Sequence, residues 1–134
     1  MELIQQLMQA KSWEERYRLI IRAGNNLPQP NDTELSAMQL IEGCEVKVWF
    51  KIESNCPQNE EKNDRTFCFQ AYSEARIVNG LLWLLLHEIN GKTAAELQQF
   101  DLTDYFTRLG IAQRLSTTRL NGLKQIEKLI NSLE

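Results

Sequence analysis

The sequence predicts an α+β fold: a small antiparallel β-sheet packed against several α-helices in a single domain. Three observations predict it. Apolar residues recur at helical spacing near both ends of the chain. Two central stretches, Cys44 to Glu53 and Thr66 to Tyr72, alternate with period two. The polar segment "NCPQNEEKND" joins them, so they read as neighbouring antiparallel strands, although the loop is long for a hairpin. A chain of 134 residues suits one domain over residues 1–134.

The elements follow in order. Leu3, Ile4, Leu7 and Met8 form one stripe of a short first helix. Ser12 and Glu15 fit a capping box for a second helix, in which Trp13, Tyr17, Ile20 and Ile21 recur. Gly24 is expected to close it in a left-handed cap. Pro28 and Pro30 make the next loop rigid, and "TELSAMQLIEG" has room for one helical turn before Gly43. From Cys44 onward, Cys44, Val46, Val48, Phe50 and Ile52 fall on one side of a strand, and Glu45, Lys47, Trp49, Lys51 and Glu53 on the other. In the second strand Phe67, Phe69 and Ala71 share a face opposite Thr66, Cys68, Gln70 and Tyr72. Ser73 is expected to cap a helix that stops at Gly91; its second half is apolar almost all round, which marks a central, buried helix. Thr93 with Glu96 is a second capping box, and Asp101 and Gly110 bound another short helix. The last helix is amphipathic through Leu120, Leu123, Ile126, Ile130 and Leu133.

Composition narrows the function. A hydrophobic share of 43% and a charged share of 25% are ordinary for a soluble globular protein. The net charge of −3 offers no broad basic field for nucleic acid or an anionic membrane, so neither is expected as a partner. The start "MELIQQLMQA" lacks the charge and apolar core of a signal peptide, and "GLLWLLLHEI" is too short to span a bilayer, so a cytoplasmic address is expected. No phosphate-cradling glycine loop and no G-x-S-x-G turn occurs.

The cysteines carry the remaining chemistry. There are three, an odd number, and no disulfide framework is expected. With His87 they nominally offer zinc four ligands, but structural zinc sites bring ligands in close pairs and these cysteines are far apart. No metal is therefore expected. His87 reads as a structural histidine in a leucine-rich helix, since a lone imidazole needs partners to act as a base. Cys56 reads as an incidental surface thiol beside Pro57, and Cys68 as a small packing residue. Cys44 differs by context. Gly43 frees the backbone before it, and it stands at a loop-to-strand junction. Its apolar phase predicts shelter, which raises a thiol's pKa and damps its reactivity. The pattern leaves core filler and reactive thiol both open.

"GCEVKVW" resembles the cysteine motif of the SufE family: glycine-cysteine, a few variable residues, then Val-Trp. The resemblance runs along nearly the whole chain. "WEERYRLIIRAGNNLP" is similar to the family's N-terminal helix and its Leu-Pro exit, and "SEARIVNGLLWLLL" to the segment after the sheet. "LSTTRLNGL" is similar to the late motif, in which an arginine precedes Gly-Leu. "GKTAAELQ" and "LGIAQRLS" lean towards the CsdE branch. The chain departs from the pattern at Leu120, where a serine usually follows the arginine, and Cys56 and Cys68 have no counterpart.

The resemblance implies a sulfur acceptor for iron–sulfur cluster assembly or related sulfur trafficking. It places the persulfide-carrying role on Cys44, with Gly43, Glu74 and Arg119 as supporting residues. It implies a cysteine desulfurase partner, CsdA- or SufS-like, whose activity this chain stimulates, and a downstream acceptor or scaffold. Pyridoxal phosphate belongs to that desulfurase, and this chain is expected to hold no cofactor and to be no enzyme itself. Cys44 would keep the labile sulfur hidden, and the Gly43–Cys44 loop would swing out when the desulfurase docks. A second reading makes the chain a non-catalytic regulatory module of a desulfurase, with Cys44 only structural. A third, a self-standing thiol enzyme, has no base but the remote His87.

Overall fold

The computed structural model describes residues 2–41, 46–54 and 66–133, without the side chains of Glu2 and Ser54. Its described elements run α1 (Glu2–Gln9), α2 (Trp13–Gly24), α3 (Asp32–Ser36), β1 (Gln39–Leu40), β2 (Val48–Ser54), β3 (Thr66–Ser73), α4 (Arg76–Ile89), β4 (Lys92–Thr93), α5 (Ala94–Gln98), α6 (Leu102–Arg108), a 3-10 turn (Ala112–Arg114) and α7 (Thr117–Asn131). The strands form one antiparallel sheet in the order β1-β2-β3-β4. The fold is α+β, with helices gathered against one small sheet.

The two alternating stretches pair as expected, from Val48 opposite Ser73 to Ser54 opposite Phe67. Val48, Phe50, Phe67, Phe69 and Ala71 are buried. The Phe50 and Phe69 rings stack at 5.6 Å across the pair. α4 packs on β3 and buries Val78, Leu81, Leu82, Leu84, Leu85, Leu86 and Ile89. It is the central helix its composition predicts. Tyr105 from α6 enters the same core and donates its hydroxyl to the Leu84 carbonyl at 2.8 Å. Burial holds this phenol well above its usual pKa, Glu88 adds to the rise, and Arg108 opposes it. Two short strands escaped the sequence reading. β1 and β4 have two residues each, too few for a period to show. Thr66, read on the face opposite Phe67, is also buried, where β4 joins the sheet.

α2 lies on α4 at a contact only glycine permits. A Cβ on Gly80 would sit 2.0 Å from the Ile20 carbonyl oxygen, and one on Gly24 would sit 2.8 Å from the Gly80 nitrogen. Gly24 therefore serves close packing. It is not the left-handed cap the sequence predicts: the next residue, Asn25, is right-handed at φ −67°. Positive φ occurs at Gly91 and Gly110, the two expected stops.

Besides Gly24, the caps depart from their predicted residues at two places. Thr93 and Glu96 form the full reciprocal box, and Asp101 caps α6. Ser12 accepts the Glu15 N–H, but the Glu15 carboxylate accepts from Lys11 instead of closing the box. Ser73 is the last residue of β3, and α4 begins three residues later behind Ala75, which gives no side-chain cap.

Candidate functional site

Cys44 belongs to the connection between β1 and β2. Gly43 and Cys44 lie outside the described residues, as do the shelter and loop motion expected for them. The structure gives the frame on either side. Upstream, Leu40 pairs with Trp49, and the buried Ile41 donates its N–H to the Val48 carbonyl at 2.8 Å. Downstream, the Lys47 carbonyl accepts the Ser73 hydroxyl at 2.8 Å. Both stems of the Cys44 connection are thus bonded to the sheet.

Ser73 is the clasp. It is fully buried, so each of its polar groups needs a partner. Its N–H donates to Asn79 Oδ1 at 2.7 Å, and its carbonyl accepts from Asn79 Nδ2 at 2.8 Å. Its hydroxyl oxygen also accepts the Ala75 N–H at 3.3 Å. One asparagine in the first turn of α4 therefore fixes the end of β3, and the serine passes that constraint to Lys47, three residues after Cys44.

The expected strand starting at Cys44 needs correction. β2 begins at Val48; Val46 stands in a bend and Lys47 outside the ladder. A period of two is not counted reliably through a bend, and Cys44 itself lies outside the described residues. From Val48 the alternation holds. Val48 points into the core and Trp49 outward, where its ring stacks on Tyr72 at 6.1 Å. Leu40, opposite Trp49, is 47% exposed. An apolar strip thus borders the connection on the sheet's outer face.

Glu74 follows the clasp directly and is exposed. With Tyr17, Arg18, Ile21 and Arg22 of α2 and Arg76 and Ile77 of α4, it lines an open groove of about 700 Å³. Arg119 sits half-buried in the first turn of α7, its N–H donating to the capping Ser116 hydroxyl. No hydrogen bond or ion pair among the described residues joins Arg119 to Glu74. Glu74 stands beside the Cys44 frame; no such link ties Arg119 to it.

His87 is exposed and stacks on Trp83 at 5.4 Å, beside a cavity of about 370 Å³. It lies eleven residues beyond Arg76 on α4, or about 16 Å along the helix axis at 1.5 Å per residue. The Cys44 stems meet the opposite end of that helix. Among the described residues, His87 and the stems of the Cys44 connection thus stand at opposite ends of α4.

Cys68 is half-buried on β3 and disulfide-bonded, contrary to the expectation of no disulfide and of an incidental packing thiol. It stands opposite Glu53, on the face away from the phenylalanines, where another sulfur can reach it. Its bonding partner is not among the described residues, and Cys56 also lies outside them. Among the described residues no three His, Cys, Asp or Glu side chains gather in a metal-holding arrangement. None of the described helices is long and apolar enough to cross a membrane.

The SufE family model, described as an Fe-S metabolism associated domain, matches residues 1–133. The chain is 59% identical over 131 residues to an uncharacterized SufE-like protein of Haemophilus influenzae, covering 98% of each. It is 37% identical over 118 residues to the sulfur acceptor protein CsdE of Escherichia coli, covering 88% of this chain and 76% of that one. A SufE-like protein of Rhizobium meliloti is 32% identical over 120 residues, 90% and 83% of the two chains.

Proposed function

This chain belongs to the SufE family, and on that premise we propose that it accepts sulfur on Cys44 from the persulfide of a cysteine desulfurase. The desulfurase, with its pyridoxal phosphate, forms the donor persulfide. The Cys44 thiolate attacks the terminal sulfur of that persulfide. A new S–S bond forms at Cys44, the donor's S–S bond breaks, and the desulfurase thiolate leaves. One sulfur atom moves and no net electron does, which is the logic of thiol–disulfide exchange. Cys44 then holds Cys–S–S⁻ and passes it to a cytoplasmic acceptor or scaffold for iron–sulfur cluster assembly. By removing the donor's sulfur the chain also speeds desulfurase turnover. The chain is a carrier, and the enzyme is its partner.

The observation that carries this reading is the glycine-cysteine pair placed between two stems bonded to the sheet. The family match along the whole chain supports it, as does the name of the E. coli relative, a sulfur acceptor. A carrier cysteine needs a positioned backbone and access to a docked donor. Mass spectrometry after incubation with a desulfurase and cysteine tests the proposal. A gain of about 32 Da, one sulfur atom, is expected at Cys44. The same gain on Cys56 or Cys68, or no gain with the desulfurase still stimulated, would favour the regulatory reading instead.

A further inference from the structure

The groove between α2 and the start of α4 carries charge opposite to the molecule's own. Three guanidiniums, Arg18, Arg22 and Arg76, face one carboxylate, Glu74, on a chain of net charge −3. Arg18 and Arg22 are one helical turn apart and project from the same side of α2. Arg76 opens α4. The glycine contact of Gly24 with Gly80 draws the two helices together there, so close that a Cβ on Gly24 would stand 3.0 Å from the Arg76 carbonyl. All three arginines are exposed, and none has an ion pair among the described residues. Glu14, one turn before Arg18, has none either. By contrast Arg108, Lys51 and Lys92 each hold a carboxylate. Between the arginines lie Tyr17, 43% exposed, and the half-buried Ile21 and Ile77.

We propose that this groove is a docking surface for the sulfur donor, and that it receives an acidic segment of the desulfurase, whose carboxylates pair with Arg18, Arg22 and Arg76 over an apolar floor. The inference rests on the relay reading for the identity of the partner. Guanidinium forks match carboxylates bidentately, and Tyr and Arg are the residue types that anchor interfaces. The place fits as well: Glu74 at the groove's edge follows Ser73, whose hydroxyl holds the downstream stem of the Cys44 connection. A donor seated on the arginines is therefore seated beside the acceptor loop's root.

The test is the affinity of the full-length chain for its desulfurase, measured by calorimetry at low and high salt. Two variants are compared with wild type, Arg18→Glu/Arg22→Glu and Arg76→Glu. Lys124→Glu, on the exposed face of α7, is the control for a global charge change. Circular dichroism and iodoacetamide alkylation of Cys44 report whether each variant is folded with its thiol intact. The groove variants should bind at least tenfold more weakly at low salt, and the difference should shrink as salt screens the pairs. Lys124→Glu should bind as wild type does. Unchanged affinity in folded groove variants, or an equal loss in Lys124→Glu, would overturn the proposal. Sulfur mapping separates it from the relay reading. Wild type that gains sulfur at Cys44 while groove variants bind normally refutes the groove alone. Salt-sensitive loss of binding without any sulfur on Cys44 refutes the relay alone.

Discussion

The two ends of α4 are built alike and equipped differently. Each is tied to β3 by an asparagine: Asn79 holds the Ser73 backbone at one end, and Asn90 accepts the Phe69 N–H at 2.8 Å at the other. At the Asn90 end an aromatic pair, Trp83 with His87, borders a mostly apolar cavity. At the Asn79 end the clasp reaches across to Lys47, and three arginines have no ion pair among the described residues. The same device fixes a helix to a sheet twice. At the Asn79 end the tie runs on through Ser73 to Lys47, the downstream stem of the Cys44 connection. The difference teaches where to look for chemistry: at the end with uncompensated charge beside the Cys44 stem, not at the end with the Trp83–His87 stack.

That contrast can be broken by mutation. The largest effect is expected from Gly80→Ala, which drives a Cβ into the Ile20 backbone and separates α2 from α4. We expect a loss of about 3 kcal/mol or more, read by denaturant unfolding. Asn79→Ala comes next. It leaves two buried backbone groups of Ser73 without partners, costing about 2 kcal/mol. It should also slow sulfur acceptance, because the downstream stem loses its clasp, whereas Asn90→Ala should lower stability and leave acceptance intact. Single-turnover transfer rates distinguish the two. Tyr105→Phe removes one buried hydrogen bond and should cost about 1 kcal/mol. Its folded pKa lies above that of the unfolded chain, so the unfolded state loses its proton first. Wild-type stability should therefore fall as pH rises past about 10, and part of that fall should vanish in the variant. The smallest effect is expected from His87→Ala, which should leave transfer unchanged. A tenfold loss would return His87 to the candidates for a base.

Much of this was legible in the sequence. Phe50, Phe69 and Leu85 announced the core through period and composition, and Thr93 and Glu96 announced a cap through spacing. These are local signals. The clasp was not legible, because Ser73, held by Asn79, meets the Lys47 carbonyl only once β2 and β3 pair. The resemblance marked the segment "SEARIVNG" without its reason; the structure supplies one in Ser73, Asn79 and the close approach at Gly80. Gly24 was misread for a related cause: a glycine at a helix end looks like a cap when the helix it touches is distant in sequence. The arginine groove is half visible as Arg18 and Arg22 one turn apart, but Arg76 joins only through the helix crossing.

The central claim is that the sulfur atom lands on position 44. Isotopically labelled cysteine, a desulfurase and this chain, followed by peptide mapping without reductant, test it directly. The account predicts labelled sulfur on the Cys44 peptide, none in Cys44→Ser, and full loading in Cys68→Ser. Label on Cys56 or Cys68, or a peptide in which Cys44 is already bonded to Cys68, would contradict it.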